Sequence, residues 1–128
     1  MTTLKRLIYV EDEADIREIA SVALELVGGY DVQIYSSGSE AIANAAAFNP
    51  QLIILDVMMP NMDGPTTLAN LRTLPELANT PVIFMTAKVQ PNEITTLLAL
   101  GALAVVPKPF DPMALASQLG DIWKQRNV

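Results

Sequence analysis

Short β-branched or apolar runs alternate along this chain with amphipathic stretches, about five pairs in all, and the alternation leaves few folds open. It is the pattern left when crossover helices join parallel strands, each helix laying an apolar stripe on the sheet it bridges. Leu7-Ile8-Tyr9-Val10 reads as a buried strand. After an acidic turn, Ile16, Ile19, Ala20, Ala23, Leu24 and Val27 recur at the spacing of one helical face, and Gly28-Gly29 ends that helix. Val32 and Ile34 alternate with polar neighbours as a half-exposed second strand. Ser36 to Gly38 opens a second helix built on Ala41, Ile42, Ala45 and Phe48, which Pro50 closes. Leu52 to Leu55 is a fully apolar third strand running into Asp56. A loop from Val57 to Gly64 follows, Pro65 suits the first turn of a third helix, and that helix is expected to stop near Leu74-Pro75. Pro81 to Ala87 is the fourth strand, Pro91 to Leu100 the fourth helix and Ala104 to Pro107 the fifth strand. Asp111 and Pro112 start the last helix as N-cap and first-turn proline.

A length of 128 residues with 51% hydrophobic side chains supports one domain over residues 1–128 with a proper core. There is no cysteine and no histidine, which removes disulfides, thiolate metal sites and the commonest general base. Any metal should then be hard and oxygen-bound. A net charge of -6 with scattered basic residues argues against direct contact with nucleic acid or anionic lipid. No apolar run approaches the ~20 residues of a membrane span, and the start leads into Glu11 rather than a cleavage site, so a cytoplasmic protein is expected.

Open parallel sheets bind ligands outside the carboxyl ends of their strands, where the strand order reverses. Glu11-Asp12 follows the first strand, Asp56 ends the third, Thr86 ends the fourth and Lys108 follows the fifth. Three carboxylates in one crevice repel one another, and a divalent cation such as magnesium relieves that repulsion. Asp56 could then attack phosphorus to form an acyl phosphate, its oxygens neutralised by the metal, Thr86 and Lys108. Each residue also has a structural explanation. An acidic pair can simply start a helix, a threonine can end a strand, and a lone lysine is usually a solvated charge.

Taken together, Glu11-Asp12, Leu55-Asp56-Val57-Met58-Met59-Pro60 with Asp63-Gly64, Met85-Thr86-Ala87, Gly101-Ala102 and Lys108-Pro109-Phe110 resemble the response-regulator receiver domain over essentially the whole chain. The resemblance implies an α/β, flavodoxin-like fold: a doubly wound five-stranded parallel sheet in the order 2-1-3-4-5 with five flanking helices. It implies Asp56 as phosphoacceptor and magnesium held by Glu11, Asp12, Asp56 and the backbone carbonyl of Met58. Thr86 would donate to the phosphoryl group. Lys108 would pair with Asp56 before transfer and with the phosphoryl group after it, aimed inward by a cis Lys108-Pro109 bond. The protein is expected to act as a stand-alone response regulator, a monomer or weak dimer, catalysing only its own phosphorylation and dephosphorylation. Its partners would be a histidine kinase or histidine phosphotransfer protein and a protein effector.

Two features depart from the family. Val105 stands where most receivers carry an aromatic or histidine residue that turns with the threonine, and Pro107 directly precedes Lys108. The alternative is therefore a receiver-like scaffold that binds partners regardless of phosphate. A haloacid-dehalogenase-type phosphatase is excluded, because it needs an aspartate two residues after the nucleophile and Met58 stands there.

Overall fold

A computed structural model describes residues 3–126. Five strands, β1 (Arg6–Val10), β2 (Asp31–Tyr35), β3 (Leu52–Asp56), β4 (Val82–Thr86) and β5 (Ala104–Pro107), form one parallel sheet in the order β2-β1-β3-β4-β5. Five helices cover it: α1 (Ala14–Ser21), α2 (Gly38–Phe48), α3 (Gly64–Leu71), α4 (Pro91–Ala99) and α5 (Leu115–Gln125). The order reverses between β1 and β3, which puts the crevice above the ends of these two strands.

Side chains alternate across the sheet and build two cores. Leu7, Tyr9, Leu52, Ile54, Ile83, Met85 and Val106 pack with α5 residues Leu115, Leu119 and Trp123 on one side. Ile8, Val10, Ile53, Leu55, Val82 and Phe84 pack with Ala41, Leu68 and Leu97 on the other. Every residue of β3 and β4 is buried, as strands covered on both faces require.

The local signals act mostly where expected. Ser37 accepts from the Glu40 amide at 3.1 Å while the Glu40 carboxylate accepts from the Ser36 amide at 2.8 Å, a reciprocal cap at the start of α2. Asn49 closes α2 in the left-handed region, with φ 55°.

Three boundaries differ from the sequence pattern. Beyond α1 the helix widens into a π-helical stretch, Val22–Val27, in which the Gly28 amide reaches back to the Ala23 carbonyl at 3.2 Å. The buried stripe is thus narrower than expected: Ala20, Ala23 and Leu24 are fully buried, but Ile19 and Val27 remain 44% and 43% exposed. α3 stops at Leu71 instead of near Leu74-Pro75. Leu74 must be extended before a proline, and Pro75–Leu77 forms a separate 3-10 turn whose end is tied down by Arg72. α5 begins at Leu115, after a turn over residues 111–114 in which the Asp111 carboxylate accepts from the Met113 amide at 2.9 Å. Asp111 therefore caps a turn that precedes the helix.

Candidate functional site

Strand alternation decides which site residues can meet. Glu11 and Asp56 lie two residues beyond Tyr9 and Ile54, and Lys108 two beyond Val106, so all three project on the α5 side of the sheet. Thr86 lies two beyond Phe84 and projects on the α4 side. Main-chain bonds fix the loops that carry them: the Glu11 amide donates to the Tyr35 carbonyl, the Val57 amide to Met85 and the Lys108 amide to Thr86, at 2.9 to 3.0 Å. Gly64 is required here. A Cβ at this position would stand 2.6 Å from the Asp56 carbonyl oxygen, too close for any side chain, so the loop after β3 folds back only with glycine.

The Lys108 ammonium donates to Glu11 Oε1 at 2.9 Å and stands 3.2 Å from Asp56 Oδ1. Glu11 is wholly buried and Asp56 is 3% exposed. Burial raises the Glu11 carboxyl from the ordinary 4.5 to about 7, against the Lys108 hydrogen bond and with the help of the Asp56 charge. Asp56 is likewise raised, by burial first, with Lys108 opposing. Lys108 itself is raised. Burial alone would lower it, but the hydrogen bond to Glu11 and the charges of Asp56 and Glu11 outweigh that effect. The Lys108-Pro109 bond is cis, as the family resemblance implies.

Glu11, Asp12 and Asp56 offer carboxylate oxygens within 4.8 Å of one another. One ammonium cannot balance three carboxylates, two of them buried, and a set of oxygen donors with residual negative charge fits a small hard divalent cation. Met58 lies in the loop beyond Asp56 with its side chain 59% exposed, whereas Met59 is buried. On the α4 side the Thr86 hydroxyl accepts from the Lys88 amide at 3.0 Å. It borders a cavity of about 210 Å³ whose walls include Val57, Met58, Lys88 and Leu97. Val105 is half-buried opposite Phe84 and packs into the α4-side core.

Two contributors escape sequence reasoning. Arg17 on α1 donates to the main-chain carbonyls of Glu11 at 2.9 Å and Asp12 at 2.8 Å, clamping the acidic turn. Its signal in the sequence is a cation one helical turn and a half beyond the acids, too common a spacing to stand out. Tyr9 is a fully buried core residue on the same face of β1 as Glu11, and its apolar strand context hides the hydroxyl it carries.

Comparison with known proteins agrees with this fold. Residues 7–119 match the family described as the response regulator receiver domain. A probable transcriptional regulator, ycf27, of Porphyridium aerugineum is 32% identical over 121 residues, 94% of this chain and 49% of that protein. The chain thus spans about half the length of the curated relatives it matches. Among solved structures, the chemotaxis protein CheY4 of Vibrio cholerae superposes with a TM-score of 0.85 at 30% identity, covering 94% of this chain and 99% of that one. The signal receiver domain of a signal transduction histidine kinase from Syntrophus aciditrophicus gives 0.78 at 31% identity, covering 97% and 95%.

Proposed function

The chain belongs to the response regulator receiver domain family, and from that premise we propose that it takes a phosphoryl group onto Asp56 and signals through the resulting change in its surface. The observation that carries this reading is the Lys108 ammonium held between Glu11 and Asp56, at 2.9 and 3.2 Å, beside a third carboxylate on Asp12. A scaffold indifferent to phosphate gains nothing from burying two acids against one base, which costs desolvation energy without filling the space better than apolar side chains.

In the proposed reaction an Asp56 oxygen attacks phosphorus in line, while the bond from phosphorus to the donor's imidazole nitrogen or acyl oxygen breaks and its electron pair leaves with the donor. Lys108 then exchanges its pairing with Asp56 for one with a phosphoryl oxygen, and the Thr86 hydroxyl donates to another. Magnesium, which Glu11, Asp12, Asp56 and the Met58 carbonyl would hold, supplies positive charge against the phosphoryl oxygens. The chain's chemistry extends to gaining and losing its own phosphoryl group. The donor is a histidine kinase or histidine phosphotransfer protein, and the output is a protein contact or onward phosphotransfer in the cytoplasm. Among the described residues no helix is long and apolar enough to cross a membrane.

Intact mass after incubation with acetyl phosphate and magnesium tests the reading without a cognate kinase. The mass should rise by one phosphoryl group, and Asp56→Asn should prevent it. A modification that survives Asp56→Asn, or none at all in the parent protein, overturns the assignment.

A further inference from the structure

Resting on the phosphoacceptor reading above, we infer that Tyr9 is a positioning residue whose hydroxyl takes over the Glu11 carboxylate when Lys108 moves to the phosphoryl group. Among the described residues, the Tyr9 hydroxyl is a buried side-chain polar atom without a hydrogen-bond partner. The other two tyrosines are satisfied: Tyr30 donates to the Ala116 carbonyl at 3.2 Å and Tyr35 to Gln33 Oε1 at 2.6 Å. A buried hydroxyl left unpaired is costly, and phenylalanine would fill the same space without that cost.

Its position on β1 suggests what the hydroxyl is for. Tyr9 and Glu11 are two residues apart on one strand and project on the same face, and Asp56 projects there from the adjoining β3. Glu11 and Asp56 are thus the buried carboxylates on the same side of the sheet as the phenol. In the resting site Glu11 Oε1 accepts from Lys108 at 2.9 Å, and Oε2 accepts from the Glu13 amide at 3.2 Å. Withdrawal of Lys108 leaves Oε1 buried without its donor. A carboxylate in that state loses more than a neutral group does, and a phenol is a donor that stays protonated beside it. Tyr9 thus offsets the loss of one of Glu11's two bonds and lowers the cost of moving Lys108.

The test compares wild type with Tyr9→Phe, using magnesium with beryllofluoride as the phosphoryl mimic. Without the mimic, Tyr9→Phe should melt at or above the wild-type temperature, because it loses only an unpaired group. With it, beryllofluoride should bind the variant about fivefold more weakly, the loss of one hydrogen bond. In the wild type the Tyr9 13Cζ resonance, assigned by its disappearance in Tyr9→Phe, should shift on beryllofluoride binding; this readout stands even if the variant folds poorly. Equal affinity in the two proteins, or an unmoved Tyr9 resonance in a wild type that does bind the mimic, overturns the inference alone. A wild type that fails to bind beryllofluoride overturns the phosphoacceptor reading and this inference with it.

Discussion

On one side of the sheet α5 buries Leu115, Ala116, Leu119 and Trp123, whereas on the other α4 buries only Leu97 within Pro91–Ala99. The charged cluster of Glu11, Asp56 and Lys108 lies on the first side. Thr86 and Val105 lie on the second, where Thr86 borders a cavity of about 210 Å³ and Val105 packs against the core. The difference has a physical basis. Buried charges are useful only at fixed separations, so they need stiff surroundings, while a segment that must rearrange is drawn from the loosely packed part of a fold. On the proposed function, the charged chemistry would sit on the stiff face and the response on the looser one, with Thr86 taking part in both.

Breaking the charged side should have the largest effect. Lys108→Met leaves Glu11 and Asp56 buried without their cation, and stability at pH 8 should fall by about 3 kcal/mol in denaturant unfolding. The loss should shrink at pH 5, where the stranded carboxylates take up protons instead. Lys88→Met, an exposed lysine on the α4 side, should change stability by less than about 0.5 kcal/mol. Similar losses for the two lysines would erase the distinction between the faces.

The raised carboxyls give the charged side a pH signature. Glu11 moves from 4.5 to about 7 on folding, and Asp56 moves in the same direction. Between those values the native protein holds more protons than the unfolded chain. Stability should therefore fall as pH rises from 4.5 to about 7, with a slope up to about 1.4 kcal/mol per pH unit for each extra proton. The raised Lys108 contributes stability that is complete below 10.5 and disappears only above it, outside this window. Magnesium held by the ionised acids should flatten the decline, and Glu11→Gln should flatten it without metal. A slope unchanged in Glu11→Gln would place its source elsewhere.

These contrasts also separate what the sequence reveals from what it hides. Strand positions and the residues at their carboxyl ends are legible, because alternation is local and an acid closing Leu52–Leu55 has no apolar explanation. Helix ends are less so. The π-helical widening after Ser21 and the early stop of α3 depend on how each helix settles on the sheet, not on cap residues alone. The pairing of Lys108 with Glu11 as well as Asp56 was hidden for a similar reason: residues 97 positions apart meet through the sheet register. Tyr9 reads as core and is core, and its periodicity says nothing of the unpaired hydroxyl it carries.

A smaller effect should follow from Arg17→Met, which keeps the apolar stem of the side chain but removes both bonds to the Glu11 and Asp12 carbonyls. Thermal unfolding should show a loss of about 1.5 kcal/mol, the lower end of the range for a hydrogen bond to a charged group, because the site is partly exposed. The magnesium concentration needed for half-maximal stabilisation should rise severalfold, since the acidic turn is no longer held in place. A normal magnesium response in Arg17→Met would mean that the turn keeps its shape through the Glu11 and Glu13 amides alone.

The smallest stability effect belongs to the α4 side, where the expected consequence is in the response. Thr86 presents the hydroxyl that a phosphoryl oxygen would draw, and that hydroxyl now holds the Lys88 amide at 3.0 Å. Moving it releases the loop leading into α4, which is anchored through few buried side chains. Val105 lies on the same face, but a β-branched side chain in a strand has few rotamers and is too small to carry a large displacement. The signal should travel through the loops after Asp56 and Thr86 rather than through a turning side chain at position 105. Thr86→Ala should therefore reduce the change in α4 amide exchange on beryllofluoride binding, and Val105→Ala should leave it largely intact while costing about 1 kcal/mol of stability. If Val105→Ala silences α4 as fully as Thr86→Ala, the half-buried valine couples site to surface despite its size, and the division between the faces runs through β5 rather than through the loops.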